Sequence, residues 1–139
     1  MDSLNRLQPF ALLALRLVLG AIMIAHGYHK VWGGFHHHME MVGSLGIPRW
    51  MAYLSAGTEF FGGIGIVLGL FTRFFSLAFF IEMCVAIWKV HFKNGLMGPG
   101  GFEFPMALAA IAFTLMCFDG GPWAATFSGR SGVRRMKNG

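Results

Sequence analysis

The chain has 139 residues, 55% of them apolar and 12% charged, with 20 Gly, 15 Phe and a net charge of +5. A soluble domain usually carries about 25% charged residues, so this composition excludes an ordinary soluble enzyme and points to lipid as the solvent. The positive charge lies largely toward the chain ends, with no basic helix interleaved with polar residues. That pattern favours a topology signal and headgroup contact over nucleic acid as a partner.

The first apolar run, 10–25, is interrupted by Arg16 and is long for a signal sequence, so a retained first helix is expected over about 9–29, with Pro9 in its first turn. The segment 30–49 carries Phe35, Met39 and Val42 at helical spacing, followed by Gly46 and Pro48 as a stop. It predicts a short amphipathic helix lying on the membrane surface. A second span is expected over 48–71 and a third over 72–92, with Thr72 as N-cap. Almost nothing separates these two, so they form an antiparallel hairpin. The Gly-rich segment 93–101 reads as a loop. A fourth span over 102–119 ends at Gly120, Gly121 and Pro122. Each span is near the ~20 residues a bilayer core requires.

The expected fold is therefore an all-α membrane protein. It is an antiparallel bundle of four transmembrane helices with an interfacial helix between the first two, forming one unit over 1–127. A basic tail, 128–139, follows. Arg6, Arg73, Arg130, Arg134, Arg135 and Lys137 fall on one side, against Lys30, Arg49, Lys89 and Lys93 on the other. The richer side, holding both termini, is expected to be cytoplasmic.

Without a hydrophobic drive between helices in lipid, small residues and polar contacts must hold the bundle. Span two supplies Gly57, Gly62, Gly63, Gly65 and Gly69, with Ala52 and Ala56 one turn earlier. This face suits packing within the chain or between copies. Cys84 and Cys117 fall about 9 Å apart in depth, beyond disulfide reach, and read as small buried hydrophobes.

Ionisable residues inside spans are costly and must face inward. Glu59 and Glu82 fall near mid-membrane, and the long stem of Arg16 can reach toward them. Arg16 is expected to pair with one of these acids while the other is protonated or hydrogen-bonded. This network is either a structural ion pair or a proton or ligand site. A second cluster gathers at the outer rim, where spans one and three end and span four begins: His26, His29, Lys30, His91 and Glu103. Glu103 is expected to pair with Lys30 or a histidine. Such a rim suits a quinone or lipid headgroup, or it closes the bundle as a polar network. His36, His37 and His38 point in different directions on the surface helix, so no metal site is expected. A haem would need ligands from two facing helices, and His91 is the one candidate partner for His26 or His29. The motifs of soluble catalysts are absent, and no independent activity is expected.

The stretch Leu15-Arg16-Leu17-Val18-Leu19-Gly20, followed by His26-Gly27 and Lys30, resembles the opening of the DoxX family. Leu45-Gly46-Ile47-Pro48, Glu59 with Gly62-Gly63, and Leu68-Gly69-Leu70-Phe71-Thr72-Arg73 are similar to its later motifs. So are His91 with Asn94-Gly95, and Gly100-Gly101-Phe102-Glu103-Phe104-Pro105. The likeness runs over about 13–123. It implies a four-helix protein of the bacterial inner membrane, linked to oxidoreductase assemblies such as thiosulfate:quinone oxidoreductase and oxidative-stress complexes. Arg16, Lys30, Glu59, Arg73, His91 and Glu103 match the family's polar positions. The histidine run and the tail do not belong to its pattern.

Three functions follow as expectations. The first is a quinone-linked oxidoreductase subunit that anchors other membrane subunits. The second is a purely structural accessory subunit of a respiratory or photosynthetic complex. The third is a small proton-coupled transporter, which the basic residue in the first helix disfavours.

Overall fold

A computed structural model describes residues 1–125; the tail 128–139 and the last residues of the expected unit lie outside them. Among the described residues the chain is all-helical: α1 (Asp2–Asn5), α2 (Gln8–Trp32), α3 (Phe35–Ser44), α4 (Met51–Leu68), α5 (Thr72–Ala86) and α6 (Glu103–Phe118). Helix α5 runs on through a π turn (Ile87–His91) and a 3-10 turn (Phe92–Asn94). Three helical stretches, Gln8–Trp32, Met51–Leu68 and Thr72–Asn94, are long and apolar enough to cross a membrane. Helix α6 is apolar but shorter.

Helix α2 has Pro9 in its first turn, where a missing N–H costs nothing. At about 1.5 Å per residue, its 25 residues exceed the ~30 Å hydrocarbon core. Its buried residues Arg16, Leu19, Gly20, Met23 and Gly27 recur at three- and four-residue spacing and form one stripe. That stripe meets α4 in antiparallel order. Gly20 lies against Gly63 and Val67, and Gly27 against Phe60. A Cβ on Gly27 would sit 2.4 Å from the Phe60 nitrogen, so glycine permits a backbone approach that alanine would block.

Helix α4 is shorter at both ends than the expected span. Residues 48–50 form a turn, with Met51 N–H donating to Pro48 O at 3.0 Å. Gly69 ends the helix in the left-handed region (φ 74°), with Leu70 N–H donating to Gly65 O at 2.7 Å and Gly69 N–H to Ile66 O at 3.1 Å. This pairing satisfies the last carbonyls in the manner of a Schellman motif. Thr72 opens α5 without capping it; the N-cap is Phe71, and Thr72 is buried with its hydroxyl unpartnered.

Helix α6 packs along α5, and α4 touches both α3 and α5. Leu19, Met23, Ile66, Phe79, Leu108 and Leu115 fill the centre. Many large apolar side chains face outward instead, among them Phe61, Phe74 and Phe113. In water such a surface would aggregate; in a bilayer it is the solvated face. Cys84 and Cys117 are unbridged, and both are exposed on this surface rather than buried.

Candidate functional site

Helices α3, α4 and α5 do not close on one another along their whole length. Gly62 and Gly65 seat Phe75 and Phe79 tightly at one level. Toward the other end of α4, α3 covers an apolar cavity of about 430 Å³. Its walls include Met41 and Val42 from α3, Leu54 from α4 and Ile81 and Met83 from α5. The π turn contributes Lys89 and Val90 to the same wall; such turns within helices are frequent at functional sites.

Into this apolar volume projects one polar chain. Lys30, in the last turn of α2, reaches Glu59 on α4, with Nζ 2.7 Å from Oε1. The Glu59 side chain is 3% exposed and that of Lys30 is 23% exposed, so the pair is largely withdrawn from solvent. The same ammonium lies 3.4 Å from Ser55 Oγ. Ser55 in turn donates to Glu82 Oε1 on α5. Ser55 and Glu59 are four residues apart and therefore share a face of α4. Three helices thus meet through two carboxyls, a hydroxyl and an ammonium. Oε2 of both Glu59 and Glu82 is buried and meets no amine, amide or alcohol donor, while the two carboxyls lie close enough to hydrogen-bond to one another. Both line the cavity.

Arg16 does not join this network. Its Nε donates to Ile66 O at 3.0 Å, Nη1 to Gly120 O at 3.1 Å and Nη2 to Val67 O at 2.7 Å. The expected pairing with Glu59 or Glu82 fails for a geometric reason. Arg16 lies near the start of α2, opposite the end of α4, whereas Glu59 lies near the level of Gly27 and Lys30. The last turn of α4 presents carbonyls that the helix itself does not fully use; the guanidinium takes Val67 O and shares Ile66 O with the Gly69 N–H. Gly69 makes the space: a Cβ there would stand 2.8 Å from Arg16 Nη2.

The outer-rim cluster is not assembled as expected. Lys30 turns inward to Glu59. His26 is exposed and packs near Phe104, with ring centroids 6.2 Å apart. His29 is exposed beside Gly33. His91 Nδ1 lies 2.8 Å from Gly100 O and so fastens the loop before α6. Glu103 begins α6 and is exposed. Among the described residues, no hydrogen bond or ion pair joins these five to one another.

The histidine run also divides. His36 is exposed and sits 3.1 Å from Glu40, while His38 is 6% exposed and lines the cavity. Burial first, and then the charge of Lys30, pushes the His38 imidazole down to about 4 from its ordinary 6.5. Sequence reasoning missed Ser55 and the burial of His38 in the cavity wall. The Ser55–Glu59 spacing and the shared face of Phe35, His38 and Val42 were the available signals.

The DoxX family model matches residues 11–92, more than half of the chain. A Bacillus subtilis (strain 168) protein named "Putative oxidoreductase CatD" is 32% identical over 112 residues, covering 81% of this chain and 83% of its own. An uncharacterized protein of Haemophilus influenzae is 30% identical over 128 residues, covering 86% of this chain and 90% of its own. No solved structure matches. A chain whose described residues are all-helical, with this match and with a helix α2 that supplies both the Arg16 clamp and the Lys30 ammonium, belongs to the DoxX family of membrane proteins.

Proposed function

We propose that this chain is the membrane subunit of a quinone-linked oxidoreductase complex and that the α3–α4–α5 cavity holds the ring of a quinone-type ligand. The observation that supports this reading is the pairing of an apolar volume with a largely buried Glu59–Lys30–Ser55–Glu82 chain. Ligand sites of this size are mostly apolar with a few convergent polar groups, and a membrane quinone has that character. Such a ligand, when bound, supplies electron and proton exchange at its ring oxygens. The protein's own groups would orient the ring and hold protons beside it: Lys30 at Glu59 Oε1, and Ser55 at Glu82 Oε1. The name of the Bacillus subtilis relative supports an oxidoreductase setting.

In this reading α6 is a fourth crossing, antiparallel to α5. Helix α3 lies at the membrane surface, and residues 1–127 form one unit in a bacterial inner membrane. Both termini and the basic tail 128–139 are cytoplasmic, as the Lys and Arg distribution favours. Electrons come through partner subunits, because no redox centre is provided by the chain's own residue types at the site. Arg16 has a structural role.

The test is saturable binding of a short-tailed naphthoquinone and its quinol by the full chain in lipid nanodiscs. Binding of at least one form is expected, weakened by tenfold or more in Lys30→Met. Uptake no greater than in empty nanodiscs, for both forms, would exclude the reading.

A further inference from the structure

Glu59 from α4 and Glu82 from α5 bring two carboxyls together on the wall of the cavity. Oε1 of Glu59 takes the Lys30 ammonium at 2.7 Å, and Oε1 of Glu82 takes the Ser55 hydroxyl. The other oxygen of each, Oε2, is buried and meets no amine, amide or alcohol donor, and the two carboxyls lie within hydrogen-bond reach of one another. Two carboxylates cannot make that bond, because an ionised carboxyl only accepts. One proton placed between them satisfies both oxygens at once.

Charge gives the same count. Both acids ionised against one ammonium would leave a net negative charge beside an apolar volume, and both protonated would leave a net positive one. One proton makes the group neutral, the state that burial favours. The remaining groups that face the pair do not alter this. His38 on α3 is kept neutral, its imidazole pushed down to about 4 by burial and then by the Lys30 charge. Lys89 holds its ammonium over the exposed Trp88 ring at 4.3 Å, and among the described residues no ion pair ties it to either acid.

Resting for its ligand on the reading of a quinone-type ring in this cavity, we propose that Glu59 and Glu82 form a one-proton carboxyl pair and that this pair is the site's proton-exchange group. Glu82 is the acid: it accepts from Ser55 at Oε1 and donates from Oε2 to Glu59 Oε2. Glu59 is the carboxylate, held ionised by Lys30. The pair therefore has one proton to give, on Glu82, and one carboxylate to receive another, on Glu59.

The experiment is infrared difference spectroscopy of the full chain in lipid nanodiscs at neutral pH, in H2O and in D2O. One buried acid carbonyl per chain is expected, shifted by deuterium and lost in Glu82→Gln. Lys30→Met should double that signal, because without the ammonium the neutral state takes two protons. No deuterium-sensitive acid carbonyl in the wild-type chain overturns the proposal without needing any variant to fold. A band that survives in folded Glu82→Gln overturns it as well, and so does an unchanged signal in folded Lys30→Met. A short-tailed naphthoquinone is then added, and the Glu82 band should move along the binding curve. Saturable binding that leaves the band unmoved overturns the exchange role and spares the cavity reading. Absence of binding by both quinone and quinol overturns the cavity reading and the exchange role together, whereas the acid band decides the one-proton pair by itself.

Discussion

Helix α2 buries two cations, one near each end, and they are treated in opposite ways. Arg16 is 2% exposed and its guanidinium is met by three backbone carbonyls, from Ile66, Val67 and Gly120. Lys30 is met by the carboxylate of Glu59 and the hydroxyl of Ser55, both on residues that line a cavity. The first site is met by the protein's own backbone: Nε, Nη1 and Nη2 each donate to a carbonyl. The second is built from side chains of three helices, and it adjoins a volume a ligand can fill. A buried charge therefore does not mark function by itself. The kind of partner it takes does, side chain or backbone, together with adjoining space.

The largest expected effect breaks the Arg16 end. Arg16→Met removes one donor from each of three carbonyls at the junction of α2, α4 and the segment after α6. Removing one member of a buried charged arrangement costs about 3–5 kcal/mol. We expect a large loss of thermal stability in detergent, and Arg16→Lys should recover only part of it, because an ammonium cannot spread over three separated acceptors as the planar fork does. If Arg16→Met melts with the wild-type chain, the clamp has no structural role.

The Lys30 end should respond differently. Lys30→Met leaves the Glu59 carboxylate without its cation, at a cost of about 2–4 kcal/mol after local relaxation. The double variant Lys30→Met with Glu59→Gln removes the orphaned charge, so stability should return toward wild type while ligand binding stays lost. Thermal denaturation and binding measured on the same nanodisc samples separate the two quantities. Parallel loss and recovery of both would erase the distinction between scaffold and site.

A smaller effect is expected from the contact that joins the two ends. Gly27 faces the backbone of Phe60 closely enough that an added Cβ meets the nitrogen at 2.4 Å and the Cα at 2.8 Å. Gly27→Ala must push α2 from α4 at the level of Lys30 and Glu59, and overpacking of this kind costs about 1–3 kcal/mol. The Arg16 end lies three helical turns away and should keep its contacts. Hydrogen exchange of Val67 and Gly120 should remain slow while ligand binding weakens.

The long helices were legible because periodicity and length in lipid are strong constraints: α2 follows from an apolar run opened by Pro9, and the α4–α5 hairpin from Gly69 and the short gap after it. Arg16 and Glu59 were also legible as inward-facing, since both are buried. Their partners were not. Depth along the membrane normal placed Arg16 within reach of the acids, but backbone carbonyls at a helix end are equally good acceptors and carry no signature in the sequence. The cavity was illegible for a related reason. It arises where α4 and α5 diverge beneath α3, and divergence is a property of three packed surfaces rather than of one stretch of residues. Phe75 and Phe79 against Gly62 set the tight level; nothing in their identity states how far the helices separate a few turns on.

The smallest expected effect concerns pH and sharpens the contrast, because a guanidinium does not titrate in the working range and the Lys30 end contains a group that does. Charged or titratable neighbours of His38 come from every side: Lys30 on α2, Glu59 on α4, Glu82 and Lys89 along α5, and His37 on its own helix. The folded His38 imidazole is held down to about 4, against 6.5 when unfolded. Above pH 6.5 neither state binds the proton and His38 makes stability no function of pH. As pH falls from 6.5 to about 4 the unfolded chain takes up a proton that the folded chain refuses, so stability declines through that window. Below about 4 both states are protonated and the decline from this residue stops. His38→Gln has no such group, so between pH 7.5 and 5 the wild-type chain should lose more of its denaturation midpoint than the variant does. Parallel curves would mean that the His38 ring takes up its proton alike in the folded and unfolded chain, so that its burial in the cavity wall does not resist the charge.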